Sequence, residues 1–251
     1  MYFLGIDIGS TSIKATVLKA SAEGETVVGR ANVDYPTYYP FDGAVEHSPS
    51  EWNYTTVAAV RNAIAPLSED ERKRICGISF SSQAGSIYPA DENNRPLYNA
   101  LTWMDRRATK ESEDMIAALG YDNIRSKCGW RPAPTDCVAK LLWLKKYSPE
   151  VYEGATCFPS TLGYINYCLT GKLAEDPTCA AIRRLYDFSA EQFDGEILNY
   201  LELSEDKLPE LLDSGDSSFT CFFQRHCVST FYTEGIRDVS VLFTGYRSVV
   251  S

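Results

Sequence analysis

Positive charge is scarce in this chain. Its 24 lysines and arginines face 34 aspartates and glutamates, giving a formal net charge of -10 and an isoelectric point near 4.8. No basic surplus is available to neutralise a nucleic-acid backbone, so nucleic acid is not an expected partner. Long apolar runs are lacking too. The first apolar stretch is short, is interrupted by Asp7 and has no basic segment before it, so neither a signal peptide nor a membrane span is expected. No C-x-x-C pair occurs among the eight cysteines, at positions 76, 128, 137, 157, 168, 179, 221 and 227. Most sit in apolar patterns and read as reduced, largely buried thiols of a cytoplasmic protein. Cys221, His226 and Cys227 form the one compact set of metal-ligand types, but their spacing fits no common zinc arrangement and a fourth ligand is missing. Internal repeats and low-complexity tracts are absent. What remains is 251 residues of ordinary globular composition, enough for one large domain or two small ones.

The most informative segment present is Phe3-Leu-Gly-Ile-Asp-Ile-Gly-Ser-Thr-Ser-Ile-Lys-Ala-Thr-Val-Leu18. Leu4, Ile6 and Ile8 alternate with residues of the opposite face, and Ile13, Ala15 and Val17 do the same, so two strands flank the turn Gly9-Ser-Thr-Ser12. Asp7 leaves the first strand beside that turn. A carboxylate there suits Mg²⁺ held through its water shell, and turn amides and hydroxyls suit terminal phosphates. Nucleotide-dependent phosphoryl transfer is therefore the first expectation. A plain glycine hairpin with a turn-forming aspartate is the alternative.

Strands are expected over residues 2–8, 12–19 and 25–34, followed by the aromatic loop Tyr35-Pro-Thr-Tyr-Tyr-Pro-Phe41. Ser48-Pro-Ser-Glu51 then reads as a capping box with proline at the first helical position. Trp52, Thr56, Val60, Ala63, Ile64 and Leu67 mark the buried face of the helix it starts. A buried strand over 75–81 and extended pieces over 86–91 and 97–103 follow, the last two separated by a turn at 92–96. Helices are expected near 106–119, 136–147, 161–170 and 190–202, with Gly120 and Gly171 as stops and Ser189-Ala-Glu-Gln192 as a further capping box. Strands first and helices later give an α/β domain with helices packed on a sheet. The last stretch differs: alanine ends at 190, lysine at 207, and Ser217-Ser-Phe-Thr-Cys-Phe-Phe223 is uncharged and β-prone. Residues 217–251 are accordingly read as an atypical tail, either an edge strand or the product of truncation or a frame change, after a domain spanning 1–216.

Taken together, these segments resemble the FGGY family of carbohydrate kinases, specifically the amino-terminal domain of xylulokinase-like members. Gly5-Ile-Asp-Ile-Gly-Ser-Thr-Ser-Ile-Lys14 is similar to the family's first phosphate motif. Glu46-His-Ser-Pro-Ser-Glu-Trp52 is similar to its approach to the first helix, and Ile78-Ser-Phe-Ser-Ser-Gln83 to the strand that delivers a glutamine to the sugar pocket. Trp103-Met-Asp-Arg-Arg107 resembles its tryptophan-x-aspartate-x-arginine signature. Lys140-Leu-Leu-Trp-Leu144, Leu169-Thr-Gly171, residues 176–187 and Leu208-Pro-Glu-Leu-Leu212 continue the series in order.

The resemblance implies a ribonuclease-H-like first lobe of the actin and sugar-kinase superfamily, using ATP and Mg²⁺ to phosphorylate a small sugar such as a ketopentose, or a polyol. It implies nucleotide contacts at Asp7, Gly9, Ser10, Thr11, Ser12 and Lys14, with Asp7 also the metal residue. Gln83, Ala84, Gly85, Trp103, Asp105 and Arg107 would line the sugar site. An aromatic face and a carboxylate suit a polyol in any case, although Asp105 also suits a helix cap and Trp103 a core position. Two departures bear on substrate. Xylulokinase-like members usually follow the glutamine with methionine-histidine-glycine and glycerol kinases with arginine-glutamate, where this chain has Ala84-Gly85-Ser86, so glycerol is disfavoured. Gly163 stands where many members carry aspartate. The catalytic aspartate of the family belongs to a second domain, and nothing after Asp216 matches it, so the chain alone is expected to be inactive. Asp91, Glu92, Glu111, Glu113 and Asp114, on a turn and a solvated helix face, are poor substitutes. The alternatives are a sugar-binding or inert truncated module, and another actin-like ATPase, which would not need the Trp103–Arg107 signature. A small-molecule sugar is the expected partner, with no membrane and with a homodimer as one compatible assembly.

Overall fold

The computed structural model describes residues 1–212. The tail from 217 onward, the domain boundary at 216 and the Cys221, His226, Cys227 set lie outside the described residues. Strands β1 (Tyr2–Ile8), β2 (Ser12–Ser21), β3 (Gly24–Asp34) and, after a helix, β5 (Ile75–Ser82) form a four-stranded sheet in the order β3-β2-β1-β5. β1 runs antiparallel to β2 and parallel to β5. The two-residue strand β4 (Glu46–His47) pairs with β6 (Ala100–Leu101). Helix α1 (Pro49–Ile64) lies on β2 and β3 and meets α7 (Thr161–Thr170). Leu4, Ile6, Ile8, Ile13, Ala15 and Val17 are buried beneath these helices, while Phe3, Gly5 and Asp7 take the opposite face, as a period of two requires.

A second core joins α3 (Thr109–Leu119), α4 (Tyr121–Cys128), α5 (Cys137–Tyr147), α8 (Pro177–Ile182) and α9 (Gly195–Leu201) through Met115, Ile124, Leu141, Leu144, Ala180 and Leu201. The short elements α2 (Glu69–Arg72), α6 (Pro149–Gly154), β7 (Ala174–Glu175), β8 (Tyr186–Asp187), β9 (Gln192–Phe193) and β10 (Glu210–Leu211) complete the described chain. No helix among the described residues is long and apolar enough to cross a membrane. The six described cysteines are all free thiols, three buried and three half-buried.

Several expected local signals take other forms. Ser48 sits at the helix start with Pro49 behind it, but its hydroxyl makes no cap bond, and Glu51 instead accepts from the Tyr38 hydroxyl at 2.7 Å. The box that closes is Ser68 with Glu71. Ser189 does not start a helix. Asp187 takes its amide at 2.8 Å, Gln192–Phe193 pairs back onto Tyr186–Asp187, and Asp194 caps the later helix by accepting from Glu196 and Ile197. The helix expected from 106 begins at Thr109, because Asp105 holds the Arg107 amide in a turn at 3.1 Å. The extended pieces at 86–91 and 97–103 survive only as β6 and isolated bridges such as Ile87 to Leu101.

β3 kinks against α1 where its register with β2 slips, between the pairs Val17–Gly29 and Leu18–Val27. A Cβ on Gly29 would lie 1.9 Å from the Ala63 carbonyl oxygen, so helix and strand touch backbone to backbone there. Gly29→Ala should lower the unfolding free energy by about 1–3 kcal/mol, the usual cost of forced overpacking. Urea denaturation checks this, and an unchanged midpoint would show that the helix moves away without cost.

Candidate functional site

The register of β1 creates the first half of the site. Asp7 is paired with Lys14 across the antiparallel ladder and with Ser81 across the parallel one. The Lys14 ammonium lies 3.1 Å from Asp7 Oδ2, and the Ser81 hydroxyl donates to Oδ1 at 3.0 Å. With its side chain 47% exposed, Asp7 is an accessible carboxylate held in orientation from both sides. It borders a cavity of about 370 Å³ lined also by Ser81, Ser82, Ala84, Asp176, Thr178 and Ile182. On its other side a hollow of about 350 Å³ includes Lys14 and Thr16.

The Gly9-Ser-Thr-Ser12 turn is more committed to itself than its sequence implies. The Gly9 amide donates to the Ser12 carbonyl at 3.0 Å, and Ser12 is buried, which leaves Ser10 and Thr11 as the accessible part. Tyr35 pins the turn twice: its amide donates to the Thr11 carbonyl at 3.2 Å and its hydroxyl donates to the Gly9 carbonyl. Gly9 itself keeps the mouth open, since a Cβ there would sit 3.0 Å from the Ser12 oxygen and 3.7 Å from the Lys14 ammonium.

The second half reaches the first directly. Trp103, 47% exposed, donates from its indole Nε1 to the Ser10 hydroxyl at 2.9 Å. Gly85 packs beneath it at φ +75°, where a Cβ would meet Trp103 Cβ at 3.2 Å. Gln83 turns its side chain away from the cavity, donating from Nε2 to the Tyr35 hydroxyl at 3.2 Å and to His47 Nδ1 at 3.1 Å. Asp105 and Arg107 were expected to contact sugar, but both side chains have 0% exposure. Arg107 donates to Asp105 Oδ2 at 2.8 Å and to Glu46 Oε1 at 2.6 Å, and lies against the stacked rings of Phe41 and Trp143. Asp105 also accepts from the Val45 amide at 2.7 Å. These two residues therefore hold the chain behind Trp103 and do not line the crevice. The Gly163 departure is remote as well, since a side chain there would point at Leu173, Pro159 and Pro209.

Lys140, Glu46, His47 and Tyr35 were not singled out by sequence, although all four lie in segments that were. A lysine on the apolar face of α5 was the available signal. Lys140 has no exposure and donates to the Gly85 carbonyl at 3.0 Å and the Thr102 carbonyl at 2.6 Å, so one ammonium ties the backbone below Gln83 to the backbone before Trp103. Burial pushes its pKa down, against the pull of Cys137, Asp105 and Asp136. Burial also works against the charge of Arg107, but Asp105 and Glu46 outweigh it and hold the guanidinium above its ordinary value.

No group of three or more His, Cys, Asp or Glu side chains capable of holding a metal occurs among the described residues. The exposed Asp7 carboxylate fits a hydrated Mg²⁺ brought with a triphosphate and not a caged ion. The hydroxyls of Ser10 and Thr11 and the exposed charge of Lys14 fit the phosphates.

Removing the buried ammonium should be costly, because two carbonyls lose their partner. Lys140→Met is expected to lower the unfolding free energy by about 2–4 kcal/mol, whereas Lys14→Met, at an exposed pair, should change it by less than about 1 kcal/mol. Denaturant titration separates the two. Burial also lowers the His47 pKa from 6.5 to about 4. The unfolded chain thus takes up a proton that the native imidazole refuses. The resulting stabilisation is complete above about pH 6.5 and is lost as the pH falls towards 4, by up to about 3 kcal/mol. Asp136, which burial raises to about 6, has the opposite slope, and it cancels in a comparison of wild type with His47→Gln. The stability difference between those two proteins should grow with pH across that window, and a flat difference would show that His47 does not titrate as the structure indicates.

Comparison with known proteins gives this arrangement its context. The model of the FGGY family of carbohydrate kinases, N-terminal domain, matches residues 2–226. A xylulose kinase of Staphylococcus xylosus is 28% identical over 217 residues, covering 86% of this chain and 44% of that protein. Glycerol kinase 2 of Saccharolobus solfataricus is 30% identical over 223 residues, with 86% and 44% covered. The ligand-bound xylulose kinase of Lactobacillus acidophilus superposes with a TM-score of 0.83 at 26% identity, covering 97% of this chain and 48% of that one. The chain thus spans about half the length of the relatives it matches, and its fold is the first lobe of the ribonuclease-H-like sugar kinases. It belongs to the FGGY family of carbohydrate kinases, of which it carries the N-terminal domain.

Proposed function

We propose that this chain is the sugar-side lobe of an ATP-dependent kinase for a small ketose, of which a ketopentose such as xylulose fits best, or for the corresponding polyol. The observation that carries the reading is the contact between Trp103 and Ser10 at 2.9 Å, because it sets an exposed aromatic face against the turn that flanks Asp7. A sugar lying on the indole is thereby adjacent to any phosphate on the turn, which is the proximity that phosphoryl transfer requires.

Each residue has a chemical task. The indole offers its face to sugar C–H groups. Ala84 and Gly85 leave room where an arginine-glutamate pair would crowd the crevice, and this favours a five-carbon chain over glycerol. Ser10 and Thr11 donate hydroxyl hydrogens to phosphate oxygens. Lys14 exchanges its contact with Asp7 for one with phosphate, freeing the carboxylate to hold water molecules of the metal shell. Mg²⁺, when bound, neutralises charge on the triphosphate. The aspartate that takes the proton of the attacking hydroxyl would come from a second lobe, as the family resemblance implies. Crevice closure against that lobe would exclude water.

Calorimetric titration with D-xylulose, xylitol and glycerol tests the reading. The five-carbon ligands should bind, and Trp103→Ala should weaken them at least about tenfold. Equal affinity in the variant removes the sugar site from Trp103. The chain alone should not phosphorylate any of the panel in the presence of Mg²⁺ and ATP, and turnover at ordinary enzyme rates, about 1 per second or faster, would refute the need for a second lobe.

A further inference from the structure

We infer that Tyr35 and His47 are positioning residues, members of a one-way hydrogen-bond relay that runs from Gln83 and sets the phosphate-side turn. The direction follows from counting protons. Tyr35 has a single hydroxyl hydrogen, and it is given to the Gly9 carbonyl. The contact between Tyr35 and Gln83 at 3.2 Å must then be donated by the amide Nε2. The second hydrogen of that amide points at His47 Nδ1, 3.1 Å away, so Nδ1 accepts and the imidazole carries its proton on Nε2, facing the Thr37 hydroxyl at 3.0 Å. Every rotor and tautomer in the series is fixed by its neighbour.

One atom is left over. Gln83 Oε1 is buried without a partner, the free end of a chain whose other end is Gly9. The series is stiff, because Tyr35 is buried and is held by its own amide on Thr11, while the Gln83 amide donates to the Ile8 carbonyl at 2.8 Å. Donation from Gln83 Nε2 polarises the Tyr35 hydroxyl and strengthens the bond it gives. That bond acts on the Gly9 carbonyl, in the residue that borders Asp7 and Lys14. Every hydrogen bond of the relay is made within this chain.

Two measurements on the full ¹⁵N-labelled chain test the relay without sugar. Long-range ¹H–¹⁵N spectra should show His47 protonated on Nε2 alone at neutral pH; a proton on Nδ1 reverses the direction and overturns the inference. In the second, Gln83→Leu should displace the Ser10 amide resonance, which follows the Gly9 carbonyl, and the same change in a Tyr35→Phe background should displace it by less than a third as much. Equal displacements in both backgrounds overturn the relay. Should Gln83→Leu fail to fold, Gln83→Glu in the two backgrounds gives the same comparison.

Discussion

Arg107 and Lys140 place their charged ends out of reach of solvent, and the crevice depends on how that charge is satisfied. Arg107 draws in Asp105 and Glu46, residues 2 and 61 positions away in sequence, and Lys140 draws in two carbonyls from separate loops. The segments so joined have little regular structure: β4 and β6 are two residues each, and Gly85 and Trp103 lie in neither helix nor strand. Apolar packing alone is non-directional and would leave such loops several alternatives. Buried ions are costly to desolvate, and breaking one pair strands its partner, so an arrangement that satisfies both cations is strongly preferred over those that do not. Trp103 is exposed to solvent but hangs from backbone whose other side is fastened in this way.

The sheet solves a different problem. β1 has an antiparallel neighbour on one side and a parallel one on the other, so the end of β1 and the end of β5 open at the same edge. In open α/β sheets ligands gather beyond such strand ends. Asp7 and the Gly9 turn leave β1 there, and Ser82, Gln83 and Ala84 leave β5 there. Two chemistries that are distant in sequence are therefore neighbours because two strands run side by side, and Trp103 joins them from a loop fixed by the buried ions.

How much of this the residues disclosed depended on range. Alternation of Leu4, Ile6 and Ile8 specified both the strand and the outward face of Asp7, since a one-residue slip would bury the carboxylate. The apolar face of α1 and the stops at Gly120 and Gly171 were legible for the same reason, being set by neighbours within a few positions. Capping boxes misled where a distant group competed: Glu51 was claimed by Tyr38, and the helix foreseen at Ser189 yielded to a hairpin and to Asp194. Within the site, Asp7, Lys14, Ala84 and Trp103 were visible as motifs; Asp7 and Ala84 line one cavity, Lys14 lies in the hollow on the other side of Asp7, and Trp103 reaches the adjoining turn at Ser10. Asp105 and Arg107 were equally visible, but whether they face solvent is decided by Glu46 and by the rings of Phe41 and Trp143. Tyr35 and His47 stood in segments that were noticed, the aromatic loop and the approach to the first helix, but their roles exist only once β1, β5 and the loop before β4 have met.

Gly85 also bears on how selectivity in such a lobe can evolve. It occupies a left-handed conformation, φ +75°, with Trp103 Cβ and an Ile182 methyl within 3.2 and 3.7 Å of where its own Cβ would be. Any other residue there meets an unfavourable backbone and a wall that cannot retreat without moving the indole. Histidine, common at this place in xylulokinase-like chains, is thus out of reach by a single replacement. A lineage passing between the two loop sequences would have to rebuild the loop backbone first, so they are separated by a conformational step and not by one replacement.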